Sequence, residues 1–489
     1  MQCPKLLWYN YNAKDQLPDV SPATQAIFDQ GHEVGELAKK LFPDGIDLER
    51  GKNFMGILKE TQLVLEKRKS IFEAGFLAEN SQRTVRTYAQ ADILNPVEND
   101  HWDIIEVKNA TKVKDVNYHD LALQRYCYES AGVPINRCCL MHINNKYVRQ
   151  GELEPSKLFA IADVTEEVNR CSEGLEERVK EMLKVIALSE CPEQKIGLYC
   201  SDPYDCGLKD LCWNFLPENN VFTLTRLKKE KAIELVESGC LSIGDIPADF
   251  KLSDENKIQC ECERTGEPHI DIQKLNEFLS TLQFPQYHLD FETFSSAIPM
   301  FDNVKPYQQV PFQFSLHIWR DFDTEPEHYS FLAEGRKDSR LEFLESLCKL
   351  LGDQGNIVVY NQSFELGRLK DCVELFPEYK DWFENNIKPR VIDLHVPFRS
   401  FHYYNLSQKK STSIKKVLPA LCGSSYEGME IADGGAASRE YARVTFSDVD
   451  ESDRQQVRAA LEEYCQLDTQ AMIDIVKALT RICTNTQSK

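Results

Sequence analysis

The sequence predicts a protein of mixed α/β class with more than one domain. Strand patterns alternate with helical patterns in residues 1–216 and again in residues 284–489, whereas residues 217–283 read as mostly helical. A chain of 489 residues is too long for one ordinary domain. We therefore expect an N-terminal α/β domain at 1–216, a helical connector at 217–283 and a C-terminal α/β domain at 284–489.

The composition favours an intracellular protein and argues against tight coating of nucleic acid. No run of about 18 apolar residues occurs, and the N-terminus lacks the apolar core of a signal peptide, so we expect a cytoplasmic location. The 17 cysteines are then expected to be mostly buried thiols, with a subset that binds metal. The net charge is −21, so nucleic acid would have to be held through bound cations or a locally basic groove.

A pair of carboxylates marks the start of the C-terminal region. Residues 286–293, QYHLDFET, read as a strand that runs into a turn, with Asp290 and Glu292 two residues apart. On an extended strand both side chains point to the same face. Two carboxylates on one face repel each other unless a cation lies between them, and hard oxygen ligands suit Mg²⁺ or Mn²⁺. The pair therefore predicts a site for a divalent metal ion.

Two further acidic elements follow in the same region. The apolar run 357–360 reads as a second strand, and Glu365, in the segment NQSFE, lies near the start of the helix after it. The segment 461–469, LEEYCQLDT, reads as a helix in which Tyr464 and Asp468 lie one turn apart on the same face. We take these acids as candidate metal ligands; the alternative is that they are solvated residues at the ends of strands and helices.

In this order the motifs resemble those of the DEDD exonucleases, the DnaQ-like proteins of the RNase H-like fold, in the tyrosine subclass. The resemblance implies that two divalent ions are held by four carboxylates, which are Asp290, Glu292, Glu365 and Asp468. It also implies that Tyr464 orients the water that attacks the phosphodiester at the 3′ end of DNA or RNA. The second motif of this family usually carries aspartate. Glu365 is longer by a methylene group, which bears on rate and metal preference more than on fold.

Other residues of the C-terminal region extend this pattern. The region as a whole resembles an uncharacterised bacterial family, on segments such as PFQFSLH at 311–317 and SIKKVLP at 413–419. Lys415 and Lys416 are candidates for phosphate contacts. Asp393, in an apolar run at 391–394, is a candidate to support a metal ligand.

A second acidic constellation lies in the N-terminal region. The segments 87–94 and 102–108 read as neighbouring strands, with Asp92 on the first and with Glu106 and Lys108 on one face of the second. Two acids bind a divalent ion, and a nearby lysine positions a water or stabilises charge on the phosphate. Gln124 and Tyr128 follow one turn apart on a helix. The alternative is a surface strand with an ordinary ion pair.

This pattern resembles the PD-(D/E)XK nucleases, and most closely the RecB-like and CRISPR-associated exonucleases that contain an iron–sulfur cluster. The resemblance implies a restriction-endonuclease-like α/β/α core. It also implies an active site of six residues: His32, Asp92, Glu106, Lys108, Gln124 and Tyr128. Of these, His32, Asp92 and Glu106 would bind the metal ion. Glu73, which precedes the first motif strand, is a candidate for an additional ligand.

Three cysteines close the N-terminal region at a regular spacing. Cys200, Cys206 and Cys212 are separated by five residues each, with proline and glycine between them, so their thiols can converge on a metal. A fourth ligand is needed, and Cys3 is the candidate. In the iron–sulfur nucleases one cysteine precedes the core and three follow it, so the resemblance implies a structural [4Fe–4S] cluster, with zinc as the runner-up. Buried thiols without metal are the remaining alternative.

The middle region carries a weaker signal. Residues 221–250 read as two short helices joined by a glycine turn. In RecB-like relatives such a segment resembles helix-hairpin-helix modules that touch the nucleic-acid backbone. A plain helical connector is the alternative.

Together these motifs predict a metal-dependent nuclease with two sites, a 3′–5′ exonuclease site in the C-terminal domain and a second nuclease site in the N-terminal domain. Single strands or ends of DNA or RNA are the expected partners. One alternative is a nucleic-acid-binding module with degenerate nuclease sites, to which Glu365 points. Another is a scaffold in a repair or phage-defence complex, for which an acidic surface suits protein partners.

Overall fold

The computed structural model describes residues 1–48, 53–79 and 86–487. The chain divides into two units. The first unit comprises Met1–Cys212 and Ser296–Gln308, and the second comprises Trp213–Ser295 and Gln309–Lys489. The segment 217–283, which the sequence sets apart as a connector, therefore lies within the second unit.

The first unit is built on a six-stranded mixed sheet. Its strands are β1 (Ile46–Asp47), β2 (Ile71–Glu79), β3 (Arg86–Pro96), β4 (Trp102–Lys108), β5 (Ile135–Ile143) and β6 (Phe159–Asp163). They lie side by side in chain order. The β1–β2 and β4–β5 pairs are parallel, and the other pairs are antiparallel.

Helices cover both faces of this sheet. They are α1 (Pro4–Asn12), α2 (Pro22–Lys39), α3 (Phe54–Leu65), α4 (Asp115–Ser130), α5 (Pro155–Leu158), α6 (Thr165–Ser172), α7 (Leu175–Ile186) and α8 (Lys209–Cys212). Ile104 and Leu140 belong to a core with α3, α4, α6 and α7, whereas their chain neighbours Ile105 and Met141 belong to a core with α2. Successive strand residues point to opposite faces, so the sheet lies between two helical layers.

The segment Ser296–Gln308 is held in the first unit by polar contacts. Arg149 donates hydrogen bonds to the carbonyl oxygens of Pro299 at 2.9 Å and Met300 at 3.0 Å. The hydroxyl of Tyr307 donates to the carbonyl oxygen of Asn109, the residue that follows the last residue of β4. This segment therefore lies beside the end of the strand that carries Glu106 and Lys108.

The second unit has a five-stranded mixed sheet and a small two-stranded one. Its strands are β7 (His269–Ile270), β8 (Gln286–Phe294), β9 (Val310–Trp319), β10 (Glu327–Leu332), β11 (Asn356–Val359), β12 (Val391–Asp393) and β13 (Tyr403–Tyr404). The larger sheet has the order β10-β9-β8-β11-β12. The β10–β9 and β9–β8 pairs are antiparallel, and the β8–β11 and β11–β12 pairs are parallel.

Two groups of helices sandwich the larger sheet. The helices of this unit are α9 (Lys229–Glu237), α10 (Asp254–Thr265), α11 (Ile272–Leu279), α12 (Arg340–Leu350), α13 (Gln362–Leu375), α14 (Val396–Arg399), α15 (Ile414–Cys422), α16 (Gly434–Phe446) and α17 (Glu451–Gln487). Leu289 and Phe291 of β8 share a core with α12 and α13. The opposite face of the sheet contacts α17, where Gln313 donates to the carbonyl oxygen of Leu461 at 2.8 Å. Hydrogen bonds thus fix the long helix on the polar face of the sheet.

Both units combine mixed sheets with flanking helices, which confirms the predicted α/β class. The middle region departs from its prediction. After α9 and Gly239, whose φ is 87°, the chain forms one 3₁₀ turn at Ile243–Asp245 instead of a second α-helix. Pro247 follows closely and has no N–H to continue a helix. Among the described residues, no helix is both long and apolar enough to cross a membrane.

Candidate functional sites

Three carboxylates of the second unit converge on one point. Asp290 and Glu292 of β8 and Asp468 of α17 each offer an oxygen, and these oxygens lie within 4.8 Å of one another. The two strand residues share a face because one residue separates them, and α17 packs on that face. Glu292 and Asp468 are buried, and Asp290 is half-buried. Carboxylate oxygens gathered in this way suit Mg²⁺ or Mn²⁺.

Burial and the repulsion between neighbouring carboxylates raise the pKa of these acids. Burial, with the charges of Asp468 and Glu292, raises the pKa of Asp290 well above its usual range. Burial and the charge of Asp468 raise the pKa of Glu292 to about 8. Burial also raises the pKa of Asp468, against the lowering effect of its hydrogen bonds. A divalent ion bound between the carboxylates would relieve the repulsion.

Glu365 lies beside this group of three. It occupies the first turn of α13 and is buried, and its Oε2 has no hydrogen-bond partner among the described residues. Burial raises its pKa to about 8, and the charge of Asp393 adds to the rise. Its charge acts on Asp290, although its oxygens fall outside the group that lies within 4.8 Å. The Glu365 side chain therefore lies near the three carboxylates but outside their group.

Two tyrosines and a lysine surround Asp468. The ammonium of Lys415 donates to the hydroxyl of Tyr464 at 2.7 Å, and the hydroxyl of Tyr426 donates to Oδ1 of Asp468 at 2.6 Å. The ammonium also lies 4.6 Å from the ring centre of Tyr464 and 5.6 Å from that of Tyr426. Because Lys415 is the donor, the Tyr464 hydroxyl retains its own proton for the carboxylates, and its hydrogen bonds lower the pKa of Glu292 and Asp468.

The acids line an open cavity of about 330 Å³. Its less polar wall is formed by Tyr360, Phe364, Ile414 and Met472. The ring of Tyr360 stacks on His395 with 5.2 Å between centres, and its hydroxyl donates to the carbonyl oxygen of Thr412 at 2.8 Å. With divalent ions between the carboxylates, this side of the cavity could take a phosphate group, and the rings of Tyr360 and Phe364 could stack on a base.

Both carboxylate oxygens of Asp393 accept hydrogen bonds from neighbouring residues. Its Oδ2 accepts a hydrogen bond from Arg399 at 2.7 Å, and its Oδ1 accepts one from the backbone N–H of His395 at 3.0 Å. It therefore acts on the site indirectly, through its charge on Glu365 and its hold on His395.

The first unit contains a carboxylate paired with a lysine at the end of β4. Lys108 donates to Oε1 of Glu106 at 2.9 Å, and Gln124 of α4 donates to Oε2 of Glu106 at 2.7 Å. Lys108 and Glu106 share a face because one residue separates them on the strand. Each oxygen of Glu106 therefore has a donor, in contrast to Oε2 of Glu365.

Asp92 and Glu73 bring further negative charge to this site. Asp92 of β3 accepts a hydrogen bond from the backbone N–H of Val107 at 2.6 Å. Burial raises its pKa to about 8, and the charges of Glu106 and Glu73 add to the rise. The β2–β3 register skips Glu73 and Asp92, which lie between its neighbouring pairs, and Glu73 has a φ of 60°. Residues with a Cβ rarely adopt this backbone conformation, which is concentrated at functional sites.

Tyr128 of α4 forms hydrogen bonds with the two strands next to these acids. It is fully buried, and its hydroxyl donates to the carbonyl oxygen of Ala74 and accepts from the N–H of Ala91 at 3.1 Å. Tyr128 thus joins β2 to β3 beside Asp92.

His32 is not gathered into the acidic site of the first unit. It is exposed on α2, a helix that approaches the end of β4 where Asn109 donates to the carbonyl oxygen of Ile27 at 3.3 Å. Within the described residues, no group of three metal-binding atoms includes His32, Asp92 or Glu106.

The four cysteines predicted to bind a cluster come from both ends of the first unit: Cys3, Cys200, Cys206 and Cys212. The side chain of Gln2 donates to the carbonyl oxygens of Tyr199 at 2.6 Å and Tyr204 at 2.7 Å, which fastens the N-terminus to the cysteine loop. Burial raises the pKa of Cys206, and the charges of the other three cysteines add to the rise. Among the described residues these sulfurs do not form a close metal group, but four neighbouring thiols are the donor set of iron–sulfur and zinc sites.

Three residues that lie against the acids of the second unit were not predicted from the sequence. Tyr426 lies between α15 and α16, in a stretch without periodic pattern. Gly434 begins α16, and a Cβ there would lie 3.3 Å from Oε2 of Glu292. Cys465 Sγ lies 3.7 Å from Oδ2 of Asp290. Only Cys465 carried a usable signal, since it precedes Asp468 by three residues and so shares its helix face.

Comparison with known proteins links this chain to uncharacterised ones. Residues 287–413 match a family described as a domain of unknown function, DUF2779, a range that contains Asp290, Glu292 and Glu365. The chain is 27% identical over 235 residues to the uncharacterized protein MG366 homolog of Mycoplasma pneumoniae, covering 43% of this chain and 35% of that protein. It is 28% identical over 224 residues to the uncharacterized protein MG366 of Mycoplasma genitalium, covering 41% and 33%. The chain thus spans about a third of the length of the curated relatives it matches.

Proposed function

We propose that the chain is a metal-dependent nuclease that hydrolyses phosphodiester bonds of DNA or RNA. A 3′–5′ exonuclease site would lie in the second unit and a second nuclease site in the first. The observation that carries the proposal is the meeting of Asp290, Glu292 and Asp468, whose oxygens lie within 4.8 Å of one another in an open cavity. A buried group of like charges is costly unless a cation compensates it.

The donor set of the second unit fits hard divalent cations. Asp290, Glu292 and Asp468 would hold one ion, and the unpartnered oxygen of Glu365 is available to a second. Bound ions would supply polarisation of the phosphate and a water of lowered pKa. Tyr464, held by Lys415 at 2.7 Å, would orient that water through its hydroxyl.

The sheet of the second unit supports the same proposal. The acidic strand β8 is central, with β9 and β10 antiparallel on one side and β11 and β12 parallel on the other. The remaining acid comes from α17, which packs on that strand. This is consistent with the RNase H-like sheet that the resemblance implies.

The first unit would contribute the second nuclease site. Asp92 and Glu106 would hold its ion, and Lys108 would stabilise charge on the phosphate once Glu106 turns to the metal. Cys3, Cys200, Cys206 and Cys212 would hold a [4Fe–4S] cluster, or zinc, as a structural fastening of this unit.

One observation favours a second candidate function for the first unit. Both oxygens of Glu106 already have donors, Lys108 at 2.9 Å and Gln124 at 2.7 Å. A site satisfied in this way suits a nucleic-acid-binding unit that does not cleave.

The proposal is tested with single-stranded DNA and RNA labelled at either end, in the presence of Mn²⁺. We expect the protein to shorten these substrates stepwise from the 3′ end. Asp290→Asn should slow this shortening by about 10²- to 10³-fold, in the range for loss of a charge-stabilising group. The matched control is Asp353→Asn, which removes the same charge at an exposed position of the second unit. Equal activity of Asp290→Asn and the control would refute the proposal.

A further inference from the structure

We propose that the second unit binds the backbone of single-stranded nucleic acid on a basic surface formed by residues 225–231 and 409–416. This inference rests on the proposed nuclease function, and it names the surface that guides the substrate to the carboxylate cavity.

The two segments concentrate positive charge in an acidic chain. Residues 225–231, TRLKKEK, contain four cations and one carboxylate, and residues 409–416, KKSTSIKK, contain four cations and no carboxylate. The chain as a whole has a net charge of −21. Phosphate backbones are attracted to local clusters of lysine and arginine and repelled by acidic surface. A polyanion would therefore meet its most favourable potential where these two segments lie together.

A buried glutamine joins the two segments. Gln259 of α10 is fully buried; its side chain accepts from the N–H of Thr225 at 2.7 Å and donates to the carbonyl oxygen of Lys409 at 3.1 Å. Asn256 donates to the carbonyl oxygen of Thr225 at 2.8 Å. Tyr404 donates to the carbonyl oxygen of Lys409 at 2.9 Å. Buried polar groups with satisfied hydrogen bonds hold their surroundings in one arrangement. The hydrogen bonds of Gln259 therefore keep the two segments next to each other.

The backbone at Lys409 is strained, and its surroundings hold it in place. Its φ is 53° and its ψ is −126°, a combination that residues with a Cβ seldom adopt and that glycine adopts readily. Strain of this kind persists where the surrounding bonds over-determine the conformation, and it is concentrated at sites that bind ligands. A lysine at this position is explained if its charge has a use.

Most cations of the basic surface are available to a ligand. Five of them are exposed and form no ion pair with any described residue: Arg226, Lys228, Lys229, Lys410 and Lys416. The ammonium of Lys410 donates a hydrogen bond to the carbonyl oxygen of Phe222 at 3.4 Å. Lys409 forms an ion pair of 3.4 Å with Glu218, both side chains being exposed, and such a pair exchanges readily with a phosphate.

The basic surface is continuous with the cavity. Ser413, Ile414 and Lys415 line the cavity, and Lys416 follows directly in the first turn of α15. A strand whose phosphates lie on the two segments would therefore reach the carboxylates at its end. This continuity favours nucleic acid over an acidic polypeptide, which would have no use for a neighbouring group of carboxylates.

The test measures binding without hydrolysis. Fluorescently labelled oligothymidylate and oligouridylate are titrated with the full chain in EDTA at several salt concentrations. The test variant carries Lys228→Gln, Lys229→Gln, Lys410→Gln and Lys416→Gln, and leaves Lys415 unchanged. The control variant makes the same change of charge at four other exposed lysines of the second unit: Lys337, Lys370, Lys380 and Lys388.

We expect the test variant to bind at least 10-fold more weakly than the control at about 0.1 M salt. We also expect the slope of log K against log salt to fall in magnitude by about 3, since each contact to a single strand contributes about 0.7. Equal affinity and slope for the two variants would overturn the inference, as would equal competition by polyglutamate. If the wild type degrades oligonucleotides and the test variant binds and degrades them like the control, the inference fails while the proposed function stands.

Discussion

The two acidic clusters differ in where their nearest lysine is engaged. In the second unit, Lys415 donates to the hydroxyl of Tyr464, and Asp290 and its neighbouring carboxylates form no direct ion pair with any described residue. In the first unit, Lys108 donates directly to Glu106 at 2.9 Å. We therefore propose that the carboxylates of the second unit bind an added cation, whereas Glu106 of the first unit already has the ammonium of Lys108 as its cation.

From this difference we expect the two sites to differ in their affinity for divalent metal ions. In the second unit, burial keeps the pKa of both Glu292 and Glu365 at about 8. In the first unit, burial does the same for Asp92, while Glu106 is satisfied by hydrogen bonds. We therefore expect the second unit to bind divalent ions more tightly than the first. The first unit would bind them only when the ion pair between Lys108 and Glu106 breaks.

Among the variants that distinguish the two sites, we expect Lys108→Met to have the largest effect. In an Asp290→Asn background, which silences the second unit, Lys108→Met should reduce the remaining degradation of DNA or RNA by about 10²-fold or more. The reason is that no other described cation contacts Glu106. Degradation rates are compared with those of Lys112→Met, a change at an exposed lysine of the same unit. Residual activity that survives Lys108→Met would leave the first unit as a binding unit only.

The cysteines of the first unit give the next largest effect. Cys206→Ser should abolish bound iron and the visible absorbance of a cluster, and should lower the melting temperature by about 5 °C or more, because cluster binding energy is folding energy. The control is Cys348→Ser, a half-buried thiol of the second unit. Metal analysis decides between iron and zinc, and an unchanged metal content in Cys206→Ser would contradict a cluster at this position.

A smaller effect isolates the hydroxyl of Tyr464. Tyr464→Phe keeps the ring beside Lys415 but removes the group that would orient water, so kcat should fall by about 10- to 100-fold with little change in KM. Steady-state kinetics are compared with those of Tyr329→Phe, an exposed tyrosine whose hydroxyl contacts Glu327. Equal kcat for the two variants would remove Tyr464 from the mechanism.

The smallest effect is on stability and depends on pH. Glu292 and Glu365 have folded-state pKa values of about 8 against ordinary values of 4.5, so the folded protein holds protons that the unfolded chain has released. Without metal, the melting temperature should therefore fall as pH rises from 5 to 8. Mn²⁺ should raise it more at pH 8 than at pH 5, by about 5 °C, and Glu292→Gln should diminish this difference. A metal effect that is equal at both pH values would contradict this account.

Local periodicity was sufficient to predict part of the second unit's site. Asp290 and Glu292 share a strand face, and Tyr464 and Asp468 share a helix face, because the spacing of two and of four residues fixes both. Tyr426, in a loop, and Gly434, at the start of α16, also contact these acids, but no regular spacing in the sequence relates them to the strand or to the helix that carries the acids. Their contribution depends on how distant elements pack, which spacing does not encode.

The first unit shows the same division. The strand spacing of Glu106 and Lys108 and the helix spacing of Gln124 and Tyr128 led to residues that do lie together. The pairing of Lys108 with Glu106, the left-handed backbone of Glu73 and the exposure of His32 are results of tertiary packing. In the second unit, the contacts of Gln259 were equally hidden, because a buried amide has no signature in a helix such as α10.

The central claim is that a divalent ion belongs between the acids of the second unit. The most direct test is anomalous diffraction at the manganese absorption edge from crystals of the full chain soaked in Mn²⁺ at pH 8. We expect a peak bounded by Asp290, Glu292 and Asp468, with a second beside Glu365 if two ions bind. A saturated crystal with no peak among these carboxylates would contradict it.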